Sequence, residues 1–275
     1  MYETLASVYD WLVPDELMEP EGAVAAFGAL VDELPPGARV LDCAAGTGQL
    51  AVGLALRGFE VTASDASAAM VDRTRDLAQR REVALRTEVR TWQDWGHIGS
   101  AVPFGAIFCV GNSLTHAVGR DGRRASLAAM AGVLAPGGLL ALTSRNWERL
   151  RAARPQLEVG EQLVERAGRS ALVVRSWTIP DSWEAPHGLE VAVALLAADG
   201  SVTTHRELLA FWPFTEGELD EDLRAAGLEP ETSTFTPDVE RYVVTARTPA
   251  AGARAGPPRP AARRSARARG RHRDP

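Results

Sequence analysis

A chain of 275 residues, 45% hydrophobic and 24% charged, suits one large globular domain with room for a sizeable core. The formal net charge is −6, but Pro249 to Pro275 holds eight arginines against one aspartate, which leaves −13 on the first 248 residues. A body that acidic repels phosphate and argues against nucleic acid as a partner of the folded domain.

The opening MYETLASVYDWLVPDEL is acidic and lacks an apolar leader segment, and no window is apolar for long enough to span a bilayer. The expectation is a cytoplasmic protein without a membrane partner. Residues 3–34 read as helical, broken around Pro14 and Pro20 and ended by Pro35-Pro36-Gly37. ARVLDC (38–43) is a short apolar strand, QLAVGLALRG (49–58) a helix closed by Gly58, and FEVTAS (59–64) the next strand. A second helix over 67–81 and a third strand over 83–89 follow. FGAIFCV (104–110) is apolar on both faces, as a central parallel strand requires. A helix over 122–134 and a strand over 135–145, entered through Pro136-Gly137-Gly138, complete a doubly wound, mostly parallel Rossmann-like sheet.

After Arg145 the pattern changes to antiparallel strands within 162–179, 188–211 and 241–248. Ala198-Asp199-Gly200-Ser201 is a hairpin signal, and a helix over 215–227 opens with a Thr215/Glu218 capping box. These strands are expected to form an antiparallel cover over one end of the parallel sheet. The tail over 249–275 is rich in Arg, Ala and Pro and lacks apolar periodicity, so it is expected to be disordered. It could serve as an arm for RNA or an acidic surface. Cys43 and Cys109 fall inside apolar strands and read as buried small hydrophobes. His97, His116, His187, His205 and His272 have no metal-ligand spacing with them, so no metal is expected.

Ligands of open parallel sheets bind beyond the carboxyl ends of the strands. Gly46 and Gly48 allow a tight turn there and a close backbone approach, while Asp65 ends the second strand where it can accept from ribose hydroxyls. Gly46-Thr47-Gly48-Gln49-Leu50-Ala51 formally matches a dinucleotide fingerprint, so a nicotinamide cofactor is one answer. Asp42, however, lies four residues ahead of Gly46 at the strand end. A carboxylate aimed at the turn repels a pyrophosphate and suits a cationic ligand.

VLDCAAGTG, then VTASDAS, then APGGLLAL resembles the class I S-adenosylmethionine-dependent methyltransferases over about residues 38–145. The resemblance implies S-adenosyl-L-methionine as cofactor, with Asp42, Ala44, Gly46 and Gly48 at its methionyl part and Asp65 on its ribose. It also implies Ala66, Met70 and Trp92 around its base, with Val110 among the cofactor-binding residues. The folded unit is then a methyltransferase domain over 1–248, with an antiparallel substrate-side elaboration over about 150–247.

IFCVGNSLTHAV (107–118) breaks a buried strand into Gly111-Asn112-Ser113 with His116 close behind, and the next central strand ends in Ser144-Arg145-Asn146-Trp147. This pairing resembles the glycine and sarcosine N-methyltransferases. It implies that Arg145 holds a substrate carboxylate and Asn112 orients the amino acid, with His116 and Tyr9 at the same mouth. In an acidic body an anionic acceptor needs such a bidentate cation. The expected function is methyl transfer to the amine of glycine, sarcosine or a similar small molecule. Transfer to another small-molecule amine or hydroxyl, and cofactor binding without turnover, are the alternatives. The sequence leaves a homo-oligomer open.

Overall fold

The computed structural model describes residues 2, 4–95, 102–160, 162–166 and 168–252; the tail from 253 onward, and with it the expectation of disorder, lies outside the described residues, as does His97. The first sheet contains β1 (Arg39–Asp42), β2 (Glu60–Asp65), β3 (Arg86–Val89), β4 (Phe104–Cys109), β5 (Leu134–Arg145), β11 (Glu229–Ser233) and β12 (Arg241–Arg247). Their order is β11-β12-β5-β4-β1-β2-β3, parallel from β5 to β3, with β12 antiparallel to β5 and β11 antiparallel to β12. The strand order reverses beside β1 and β4, which opens the crevice of a doubly wound sheet at the carboxyl ends of those strands.

Helices cover both faces. On one, α1 (Pro20–Ala25) and α3 (Gln49–Leu56) bury Val24, Leu50 and Leu54 against Val40, Phe108 and Ala141. On the other, α6 (Gly119–Val133) and α8 (Glu216–Ala225) bury Leu127, Met130, Leu219 and Leu223 against Ile107, Leu140 and Leu142. Gly58 ends α3 as the sequence implies: its φ is +85°, its N–H donates to Ala55 at 2.9 Å, and that of Phe59 donates to Leu54 at 3.3 Å. The Thr215 capping box forms, with Glu218 N–H donating to Thr215 Oγ1 at 3.1 Å and Thr215 N–H to Glu218 Oε2 at 2.9 Å.

The cover is a second, antiparallel sheet of β6 (Leu157–Val159), β7 (Val164–Arg166), β8 (Arg169–Thr178), β9 (His187–Leu196) and β10 (Val202–Phe211). The hairpin between β9 and β10 turns at Gly200, with Ala197 N–H donating to Ser201 at 2.9 Å. The alternation of β9 puts Leu189, Val191, Val193 and Leu195 on one face, where they pack with Trp177, Leu209 and Phe211. Leu5, Val8 and Trp11 of the N-terminal segment fill that face, together with Trp147 and Leu150 of α7 (Trp147–Ala153).

Two expectations change. The strand over 241–248 belongs to the first sheet, because its alternating Tyr242, Val244 and Ala246 complete the core against β5 and α8. The N-terminal 3–34 stretch is divided into two 3-10 turns (Ala6–Leu12 and Asp15–Leu17), α1 and α2 (Gly28–Asp32), as its prolines and Gly28 dictate. TWQDW contributes a one-turn helix, α5 (Trp92–Trp95), between β3 and β4.

Candidate active site

At the carboxyl end of β1 the two glycines have separate duties. Gly48 has φ +90°, and a Cβ there would stand 2.8–2.9 Å from Thr74 of α4 (Ala68–Arg80), so it allows close packing. Gly46 has φ +55°, and a Cβ there would meet nothing within 4 Å. That open space suits a ligand lying against the backbone.

Asp42 is wholly buried, and neither carboxylate oxygen has a hydrogen-bond partner of ordinary geometry. Burial pushes its pKa up to about 7, with the backbone amides of Ala44 and Ala51 offsetting part of that shift and the Asp65 charge adding to it. An orphaned carboxylate beneath the glycine turn suits a cationic partner. Asp65 closes β2 with its carboxylate accepting from Gly46 N–H at 3.0 Å and Ser67 N–H at 2.9 Å. Burial raises its pKa, and those amides work against the rise. Each oxygen keeps acceptor capacity for a hydroxyl.

The expected base-flanking residues differ in placement. Ala66 is exposed at the start of α4, whereas Met70 is only 1% exposed and lies in the packing beneath that helix. Half-buried Trp92 donates its indole N–H to the Cys43 carbonyl at 2.9 Å, which fixes the ring beside the β1 turn. Ala44 and Val110 are half-buried at the ends of β1 and β4, and Cys43 and Cys109 are buried beneath them.

Asn112 stands just past β4 with φ +68°, a conformation asparagine tolerates. Its Oδ1 accepts from Arg145 N–H at 2.9 Å, and its Nδ2 donates to Thr115 Oγ1 at 3.0 Å. The amide thus ties the ends of β4 and β5 together. The Arg145 side chain, 16% exposed, lies 3.3 Å from Glu240 and 5.4 Å from the centre of the Trp177 ring. Burial lowers its pKa from the ordinary arginine value and the Arg241 charge adds to that, so a bound anion would relieve both.

His116 Nδ1 lies 3.0 Å from the Ala210 carbonyl, so Nδ1 carries the proton and Nε2 presents a lone pair. Tyr2 O–H donates to that lone pair at 3.1 Å. Burial lowers the His116 pKa, which keeps the ring neutral at physiological pH. Tyr9 packs edge-on against Tyr2 with centroids 5.6 Å apart, and both phenols are raised by burial and further by the nearby Asp65 charge. Tyr9 thus packs beside Tyr2 within reach of the Asp65 charge. Tyr2, Arg241 and Trp177 were not singled out in the sequence; the seven-residue spacing of Tyr2 and Tyr9 was the available signal for the first.

Residues 40–138 match a methyltransferase-domain family. A glycine/sarcosine N-methyltransferase of Aphanothece halophytica is 39% identical over 111 residues, covering 40% of this chain and 41% of that protein. Human glycine N-methyltransferase is 29% identical over 205 residues, 68% of each chain. The chain thus spans about two fifths of the length of the first relatives it matches. An amino pentose methyltransferase of Micromonospora echinaspora superposes with TM-score 0.70 at 23% identity, over 90% of this chain and 97% of that one. The crevice fits S-adenosylmethionine: an open glycine cradle, an orphaned acid for its cationic part and Asp65 for its ribose. The match over residues 40–138 and the superpositions show that the chain has the fold of the S-adenosylmethionine-dependent methyltransferases.

Proposed function

We propose that the chain transfers a methyl group from S-adenosylmethionine to the amine of a small acidic acceptor: glycine, sarcosine or a similar amino acid. Arg145 carries the reading. Its guanidinium is largely buried at the carboxyl end of β5, its backbone is pinned by Asn112, and it stands at the crevice end where Gly46 and Asp65 lie. Within a body of net −13, such a cation supports recognition of a carboxylate. The activities of the glycine and sarcosine N-methyltransferases it resembles agree with that chemistry.

The bound cofactor supplies an electrophilic methyl on a sulfonium, a leaving group that needs no activation. The work of the protein is to hold the acceptor in line, which is worth roughly 7–11 kcal/mol in favourable cases. Arg145 binds the carboxylate, and Asn112 fixes the strand end from which Arg145 projects. The amine must attack unprotonated, and the cover sheet and N-terminal segment exclude the water that would stabilise its cation. Neutral His116 holds the Tyr2 hydroxyl, whose remaining lone pairs accept from the amine at the mouth, and the amine proton leaves to solvent.

A second reading, transfer to a bulkier amine or hydroxyl, draws on the indole and phenyl wall of Trp147, Trp177 and Phe211. Methyl transfer from labelled cofactor to glycine, sarcosine, dimethylglycine and a panel of amines and phenols separates the two. Saturable transfer to glycine or sarcosine, with an acceptor KM that rises at least tenfold in Arg145→Ala at unchanged cofactor affinity, supports the first. An unchanged KM sinks the carboxylate role of Arg145. Transfer only to the wider panel moves the assignment to the second reading.

A further inference from the structure

Arg241 opens β12 directly opposite Arg145, the last residue of β5, in an antiparallel register. Like charges so placed are destabilising, and the chain has 36 acids from which a counter-ion could have been drawn. Arg145 takes Glu240 as a loose partner at 3.3 Å, a carboxylate whose side chain is 64% exposed. Glu158 faces Arg175 across the β6–β8 register. Among the described residues, neither an ion pair nor a hydrogen bond engages the Arg241 guanidinium, which is exposed.

The position of that free cation is informative. Its charge acts on Arg145 and also on both phenols, Tyr2 and Tyr9, which in turn face Asp65. Arg241 therefore lies at the same mouth as the ribose acid and the Tyr2–His116 pair. Alternation along β5 and β12 puts Arg145 and Arg241 on one face of the sheet, with Ser144 and Tyr242 on the other. Two guanidinia on adjacent strands, one largely buried and one exposed, thus stand side by side at this mouth.

We propose that Arg241 is the second cation of the acceptor site, so that the acceptor's acidic group is held between the Arg145 and Arg241 guanidinia. This rests on the reading of an acidic amine as acceptor and sharpens it. Specificity for the acid comes from two strands, and the outer guanidinium selects charged over uncharged amines as they enter. The juxtaposition that costs stability in the free protein becomes favourable once an anion is shared.

The test is direct binding of acetate to the protein saturated with S-adenosylhomocysteine, followed by NMR titration in wild type, Arg145→Gln, Arg241→Gln, Arg241→Lys and Arg175→Gln. A lost charged hydrogen bond predicts acetate affinity on the order of tenfold weaker in Arg241→Gln. Partial recovery is expected in Arg241→Lys, with thioether-cofactor affinity unchanged and a smaller effect in Arg175→Gln. Loss in Arg145→Gln with none in Arg241→Gln overturns the proposal and leaves the acidic-acceptor reading standing. Equal losses in Arg175→Gln and Arg241→Gln would make the effect a long-range field, which also overturns it. If the cofactor-saturated wild type binds no acetate, the proposal and the acidic-acceptor reading both fall.

Discussion

The Tyr2 hydroxyl donates to His116 Nε2 at 3.1 Å, joining the N-terminal segment to the loop that leaves β4. Because Nδ1 of the same ring is committed to the Ala210 carbonyl, the pair has one consistent proton arrangement. His116 has its pKa lowered by burial, so its contribution to stability is present above the unfolded value of about 6.5 and is lost as pH falls below it. Tyr2→Phe removes the donor. The expected result is a severalfold fall in kcat with unchanged cofactor affinity, and a smaller loss of melting temperature between pH 7.5 and 5.5 in His116→Asn than in wild type. A Tyr2→Phe enzyme with wild-type kcat and acceptor KM would remove the pair from the acceptor site.

Asp42 titrates in the opposite sense. Its folded pKa of about 7 lies above the unfolded value of about 3.9, so the folded chain holds the proton more tightly. The stability this contributes is full below pH 4 and is lost as pH rises toward 7, a change on the order of 4 kcal/mol for the free protein. Asp42→Asn should therefore raise the melting temperature of the free protein at pH 8. It should also weaken S-adenosylmethionine binding by at least tenfold, and flatten the rise in cofactor affinity expected between pH 6 and 8. Calorimetry with and without cofactor across that range measures both.

Gly46→Ala and Gly48→Ala should fail differently. At Gly48 the new methyl meets Thr74 at 2.8 Å, so the variant loses stability through displacement of α4, by about 1–3 kcal/mol. At Gly46 the space is open and only the left-handed backbone resists, at about 1–2 kcal/mol, while the methyl projects toward the cofactor. Denaturant midpoints beside cofactor titrations should show Gly46→Ala with the greater loss of binding relative to its loss of stability.

Glu207 of β10 accepts from three backbone N–H groups, those of Tyr2 at 2.6 Å and of Thr4 and Leu5 at 3.2 Å. From the other side, Arg73 of α4 holds the Ala6 carbonyl and the Asp10 carboxylate. Glu207→Gln weakens charge-assisted bonds worth about 1.5–3 kcal/mol each. The expected outcome is faster proteolysis within residues 2–12 and a raised acceptor KM, with a lesser effect on overall melting. Protection equal to wild type would show that burial of Leu5, Val8 and Trp11 holds the segment unaided.

The parallel half of the fold was legible because β1, β2 and β4 are short apolar runs closed by an acid or by Gly111, and α3 carries its own stop in Gly58. The cofactor turn was legible for the same reason: Gly46, Gly48 and Asp65 lie within twenty residues and need only local geometry. The acceptor mouth is different. Arg145 and Asn112 could be paired because adjacent parallel strands end together, but Arg241 comes from a strand nearly a hundred residues later. Its place beside β5 follows from core packing of Tyr242 and Val244, which alternation alone assigns equally well to the cover. Met70 fitted the base-flanking pattern by position, yet its side chain fills the core under α4, where a flexible thioether packs well.

The whole cover sheet is spliced into the chain between α7, which follows β5, and α8, which leads into the β11–β12 pair, so both of its ends return to the cofactor sheet. A stretch held at both ends by a rigid frame can change length and lining without disturbing the glycine turn. Descent with modification can then retune acceptor choice inside the splice while the methyl-donor half stays fixed. Exchange of residues 154–211 between relatives of this fold is accordingly the natural unit for engineering new acceptors.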